Sequence, residues 1–137
     1  MADNTFMLEI VTPERILFKD EVEFMVAPAV DGEIGVMRNH APLVAALKIG
    51  VLRFKDGKGV EKKMAVSGGF MEIIDNTGRI LAETAEPGEH IDVLRAKASK
   101  ERAERRLAQR DETINHIRAE LSLKRAIARI RAAGADY

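Results

Sequence analysis

Residues 91–133 read IDVLRAKASKERAERRLAQRDETINHIRAELSLKRAIARIRAA, and this stretch decides the fold. It holds neither glycine nor proline, is rich in alanine and charge, and lacks the every-other-residue alternation of a strand. The composition predicts two long helices with a break near Gln109–Glu112, the second helix beginning after Asp111 as its capping residue. Everything before residue 90 is punctuated by turns instead. The chain therefore reads as a β body carrying a helical arm: an N-terminal antiparallel β-sandwich followed by a C-terminal antiparallel two-helix hairpin.

In the body, Phe6, Leu8 and Ile10 share one side of an extended segment. Thr12-Pro13-Glu14 turns the chain, and Val22, Phe24 and Val26 alternate with Glu21, Glu23 and Met25. Asp31-Gly32, Asp56-Gly57 and Asn76-Thr77-Gly78 mark further turns. Val51–Lys55, Met64–Val66, Phe70–Ile74 and Arg79–Ala82 read as strands, the last of these closing the set. Pro42–Leu47 is apolar but too short to class by periodicity. Short strands with turn signals about every ten residues predict a sandwich or barrel, and no helix-length segment interrupts them. Glu86-Pro87-Gly88 continues neither strand nor helix well, so a domain boundary and a hinge are expected there. The expected domains are residues 1–87 and 88–137.

On the arm, Asp92 stands where a helix N-cap belongs. Ala96, Ala98 and Ala103 form a thin surface, with Val93, Leu94 and Leu107 as the larger apolar members. In the second helix Ile114, Ile117 and Leu121 make one apolar row, and Leu123, Ile127 and Ile130 another. Two rows exceed what one thin partner helix covers, so the β body or another protein is expected against them. If the arm folds back near residue 110, Arg95 and Arg125 lie about fifteen positions on either side of the bend and come together. Arg129 is one turn from Arg125, on the same face. Three guanidiniums there call for an anion or an acidic partner. The bland alternative is solvated helix surface, but acids at pairing distance are few; Glu120 reaches toward Lys124.

The 137 residues carry a formal net charge of zero. The zero hides a split: residues 1–90 hold 10 Lys/Arg against 15 Asp/Glu, and residues 91–137 hold 12 against 7. A basic arm on an acidic body points to a negative partner. Aromatic residues are only 4%, which counts against a base-stacking nucleic-acid reader. There is no cysteine, hence no disulfide or thiolate metal site. The N-terminus shows no signal-peptide pattern and no window is apolar enough to span a membrane. Gly68-Gly69 lacks the later Gly-Lys-Ser/Thr of a phosphate loop and precedes a strand, so a bulge or a close backbone approach is expected. His40, His90 and His116 have no paired spacing, and no metal site or catalytic constellation is legible.

Gly32-Glu33-Ile34-Gly35-Val36, His40-Ala41-Pro42-Leu43-Val44, Ser67-Gly68-Gly69-Phe70 and Ile91-Asp92-Val93-Leu94-Arg95-Ala96 occur in this order. As a set they resemble the epsilon subunit of the F-type ATP synthase of bacteria, over essentially the whole chain. The resemblance implies a non-catalytic rotor subunit beside the gamma subunit and the c-ring, coupling proton-driven rotation to ATP synthesis. It implies a hairpin that binds ATP as a regulatory ligand when folded and inhibits ATP hydrolysis when extended, reaching the beta and alpha subunits. No catalytic cofactor and no nucleic-acid partner are implied. Location at the cytoplasmic side of the cell membrane, peripherally and only through the complex, follows from the same resemblance. Carried over by residue, the ATP site comprises Asp92, Arg95, Arg125 and Arg129, with Glu86, Ile91, Ala96 and Arg102 around it. The c-ring contact comprises Asp31, Glu33, Arg38 and His40, where Arg38-Asn39 replaces a more usual Pro-Gly. Two other readings stand beside it: a purely structural coupler without nucleotide affinity, and a nucleic-acid-binding hairpin.

Overall fold

The computed structural model describes residues 4–109 and 115–135. Seven strands come first: β1 (Phe6–Val11), β2 (Ile16–Ala29), β3 (Gly32–Met37), β4 (Leu43–Asp56), β5 (Glu61–Ile74), β6 (Thr77–Ala82) and β7 (Ala85–Pro87). A 3-10 turn (Gly88–His90) leads to α1 (Val93–Ala108) and α2 (His116–Ala132). The strands run in the order β1-β6-β5-β4-β2-β3, and β1 also pairs with β2, so β1, β6, β5, β4 and β2 form a closed ring. Strict alternation of direction cannot close around an odd number of strands. One pair must be parallel, and it is β1–β6, with Met7 opposite Thr77. The expected antiparallel sandwich is thus present with this single exception among the described pairs.

Three strands of 14 residues make the sandwich, because each serves both layers. Such a strand must turn over partway. In β5, Met64 and Val66 face the core, as do Met71 and Ile73, an odd offset that reverses the side-chain alternation. The reversal falls at Gly68 (φ +80°) and Gly69 (φ +113°). A Cβ on Gly69 would lie 2.0 Å from the Leu81 carbonyl oxygen. The glycine pair is therefore a close backbone approach at the sandwich corner, and the pairing with β6 starts there, with Gly69 opposite Ala82.

The core gathers Phe6, Leu8, Ile10, Val22, Met25, Leu52, Phe54, Met71 and Ile80, all essentially inaccessible. β2 departs from the alternation expected of it. A register irregularity between Val22 and Phe24 sends Met25 inward and leaves Phe24 and Val26 half-buried. Arg79–Ala82, expected as the closing strand, is followed by one more. Glu86 and Pro87 belong to β7, paired with Ala65 and Met64 of β5. Proline is tolerated there because β7 is a short strand pairing β5 alone in the described sheet.

The arm doubles back as expected, and its layers are unequal. α2 packs on β4 and β5, while α1 packs chiefly on α2. The helix seam is alanine: Ala96 and Ala103 from α1, Ala119 and Ala126 from α2, all buried. Under α2, Ala128, Ile130 and Ala132 cluster with Ala65, Ile91 and Ala96, with Ile49 and Val51 against them. Of the two apolar rows, Ile130 is buried with Leu123 and Ile127 half-buried, whereas Ile117 is exposed; Ile114 lies outside the described residues. Leu94 faces solvent at 80% exposure, not the seam. Asp92 caps α1, accepting a hydrogen bond from the Arg95 backbone N–H at 3.1 Å. The cap of α2 is Asn115, accepting from the Arg118 N–H at 3.0 Å, while Asp111 lies outside the described residues.

Gly88 lies at the contact between arm and body. It is buried, and a Cβ there would lie 2.0 Å from the Ala132 carbonyl oxygen and 3.2 Å from that of Lys63. The residue expected as a hinge is also the seat on which the last turn of α2 rests.

Candidate functional site

A cavity of about 300 Å³ opens between α2 and the β5–β7 pair. Its body wall is Ala65, Val66, Ser67, Glu83, Thr84, Ala85 and Glu86; its helical wall is Arg125, Ala128 and Arg129. The walls follow from local structure. The β7 pairing with β5 sets Glu86 opposite Ala65. Arg125 and Arg129, one helical turn apart, flank Ala128, which anchors α2 on the sheet. The small side chains of Ala65 and Ala128 leave room between backbone layers, and the long guanidinium groups reach into it.

Arg129 Nη2 lies 3.7 Å from Glu86 Oε2, with the two side chains 44% and 38% exposed. The cavity wall carries two arginines and two glutamates, Glu83 and Glu86, so its formal charge is balanced. Ser67 and Thr84 add hydroxyl groups to the same wall. Such a set holds an anion through forked guanidinium hydrogen bonds once a carboxylate yields its place.

The fold brings together Glu86, Arg125 and Arg129 from the expected ATP set. Arg95 is exposed and outside this wall, and Asp92 is engaged in capping. Arg102 donates to the Ser99 hydroxyl at 3.0 Å on its own helix. Ile91 and Ala96 are buried packing residues beside Ala128. Ser67, Glu83 and Thr84 were not expected from the sequence. The Ser67-Gly68-Gly69 motif was visible, but only the pairing of β5 with the segment after β6 places its serine in a cavity wall.

The expected c-ring set divides between two loops. Asp31 and Glu33 stand at the start of β3, Arg38 and His40 beyond its end, and five residues of strand span about 17 Å. Glu33 approaches Arg53 at 4.0 Å. The loop after β3 is pinned by Asn39, whose backbone N–H donates to Asn76 Oδ1 at 2.7 Å, and the His40 ring nitrogen Nδ1 lies 2.7 Å from the Ala41 carbonyl.

A second surface lies on the outer face of the body. Ala46 pairs with Phe70, Phe70 with Leu81, Leu81 with Val11, and Val11 with Ile16. Cross-strand partners share a face, so these five side chains form one apolar row across five strands. Ile16, Phe70 and Leu81 are each at least half exposed. The Glu9–Arg79–Glu72 ion pairs, at 3.5 and 3.4 Å, border it.

Comparison with known proteins gives a consistent result. Residues 5–88 match the family model described as ATP synthase, Delta/Epsilon chain, beta-sandwich domain, and residues 89–134 match ATP synthase, Delta/Epsilon chain, long alpha-helix domain. The chain is 70% identical over 132 residues to the ATP synthase epsilon chain of Syntrophomonas wolfei, covering 96% of each. It is 56% identical over 130 residues to that of Desulfitobacterium hafniense, covering 95% of this chain and 97% of that one. A chain in the cryo-EM structure of the Euglena gracilis mitochondrial ATP synthase, OSCP/F1/c-ring, shares the fold with a TM-score of 0.83 at 24% identity, over 97% of this chain and 83% of that one.

Proposed function

The chain belongs to the epsilon-chain family of ATP synthase, and from that premise we propose that it is a non-catalytic rotor subunit with an ATP-sensing hairpin. In this reading it couples proton-driven rotation to ATP synthesis. Its hairpin, held folded by ATP, restrains ATP hydrolysis when it extends toward the beta and alpha subunits. The observation that carries the ATP reading is the cavity shared by Glu86, Arg125 and Arg129, whose walls come from both modules. A ligand bridging such walls binds the folded hairpin alone and so shifts the equilibrium toward it. The thin alanine seam keeps the folded and extended forms within reach of that shift. A volume of about 300 Å³ is at the small end for ligand sites, suited to the phosphate end of a nucleotide with the base outside.

The apolar row from Ala46 to Ile16 supports docking on the gamma subunit, because an exposed strip of this kind marks an interface. The two loops holding Asp31, Glu33, Arg38 and His40 are assigned to the c-ring. No helix among the described residues is long and apolar enough to cross a membrane, and the proposal places the chain peripherally, on the cytoplasmic side, through these partners.

Titration calorimetry tests the site. Wild-type protein binds ATP without hydrolysing it, and Arg125→Ala or Arg129→Ala weakens binding about ten- to a hundredfold, the loss of charged hydrogen bonds. Unchanged affinity in both variants removes the site. The reading as a structural coupler without nucleotide affinity draws support from the balanced charge of the cavity wall. Absence of ATP binding by the wild-type protein would establish it.

A further inference from the structure

We propose that Glu86 is the built-in counter-anion of the arginine cavity: with no nucleotide present it occupies Arg129, holds the hairpin down, and must be exchanged by any anion that enters. The inference deepens the ATP-sensing reading and rests on it for the identity of the natural ligand.

Three observations carry it. The Glu86 carboxylate sits 3.7 Å from the Arg129 guanidinium, across the boundary between β7 and α2. A carboxylate and a phosphate oxygen seek the same guanidinium donors, so the two compete for one place. The wall is also electrically balanced only while both glutamates face the two arginines. A polyphosphate arriving with Glu86 in place meets repulsion from it; with Glu86 displaced it meets Arg125, Arg129, and the hydroxyls of Ser67 and Thr84. The pair is partly exposed at 44% and 38%, so the carboxylate regains water when it leaves and the exchange is cheap.

The consequence is a threshold. Anions that bind weakly fail to displace Glu86. A ligand that does displace it replaces one bridge between body and hairpin by a stronger one, so the arm stays down throughout the exchange. Glu86 thus lowers affinity for every anionic ligand while stabilising the folded arm in the absence of any.

The Glu86→Gln variant of the full chain tests this, with sodium tripolyphosphate and adenosine as separate probes alongside ATP. Tripolyphosphate carries the anion without the base; adenosine carries the base without the anion. The chain has no cysteine, so labels at Gln109→Cys and Lys58→Cys report the arm's position relative to the body. Glu86→Gln is expected to bind tripolyphosphate about two- to fivefold more tightly, the range of an exposed ion pair, with adenosine unaffected. Its ligand-free arm is expected to be more open than in the wild type. Unchanged or weaker tripolyphosphate binding overturns the inference, as does weaker adenosine binding, which would make Glu86 a reader of the base. An arm position unchanged without ligand overturns it as well. If the wild type binds no ATP but Glu86→Gln gains tripolyphosphate binding, the inference stands and the ATP-sensing function fails. If neither protein binds tripolyphosphate, the inference fails, while ATP binding by the wild type still decides the ATP-sensing function.

Discussion

Replacing Gly88 by alanine puts the contact between arm and body to a direct test. Gly88 has an ordinary φ, so the substitution adds no backbone strain. What it adds is one methyl group, 2.0 Å from the Ala132 carbonyl oxygen, 2.8 Å from its carbon and 3.2 Å from the Lys63 carbonyl oxygen. All three are backbone atoms of elements held by their own hydrogen bonds, so no side chain can swing aside. Relief requires the last turn of α2 to lift by more than about 1 Å, and overpacking of this kind costs about 1–3 kcal/mol. Because Lys63 is tied into the sheet by β4 and Ala132 ends a helix, the helix is what moves. The cost therefore falls on docking of the arm, lowering the docked-to-undocked ratio about five- to 150-fold. The β body is spared, and the loss of a glycine stabilises the folded chain by about 0.4–1 kcal/mol through the unfolded state. Native-state hydrogen exchange separates the two effects. Amides of residues 126–132 should exchange faster in Gly88→Ala, while those of Leu52 and Met71 keep or gain protection. Gly35→Ala is the control, since nothing lies within 4 Å of a Cβ there. Wild-type protection of α2 in Gly88→Ala would refute the reasoning, because it would mean the seat yields without lifting the helix.

Other outcomes follow from the same geometry. Asp92→Ala removes the cap of α1 and should cost about 0.5–2 kcal/mol of helix stability, read as lost helical circular dichroism on heating; Asp92→Asn should retain most of it. The Asp56 carboxylate accepts the backbone N–H groups of Val60 and Lys58 at 2.9 Å each, and these bonds, that of Val60 foremost, hold its pKa below the usual 3.8. A depressed folded-state pKa gives stability that is complete above 3.8 and is lost as pH falls through the lowered value, so Asp56→Asn should flatten the acid limb of the urea midpoint below pH 3.8. An equally steep limb in the variant would assign acid loss to other carboxylates. Phe70→Asp places a charge in the apolar row at a 57% exposed position. It should abolish co-purification with the gamma subunit while leaving the melting temperature of the free chain within a few degrees of wild type.

Much of this protein is local and was therefore legible in the chain. The glycine-free run after residue 90 predicts helices because helical propensity and the absence of breakers act within a turn or two. Asp56-Gly57 and Asp92 predict a hairpin turn and a cap because each acts on backbone groups within four residues. Counting residues about a bend gave the fold-back, and Ala96 in one cluster with Ala128 agrees with it, but Arg95, expected beside Arg125, is exposed and outside the cavity wall.

The tertiary structure decided what depends on closure and on long-range competition for space. The parallel pair β1–β6 arises because an odd ring cannot alternate, a property of the whole sheet that no strand carries alone. Met25 points inward, and Phe24 does not, because β2 must serve different neighbours along its length and slips register in doing so. Leu94 is exposed and Ala96 buried because α2, pressed on the sheet, leaves α1 only a narrow alanine seam. Glu86 and Arg129 are far apart in sequence; the resemblance set them around one site, but their ion pair is a matter of packing. They meet because β7 joins β5 and α2 lies across it, so the composition of the cavity is a product of packing, while the helices and turns that deliver its residues are a product of sequence.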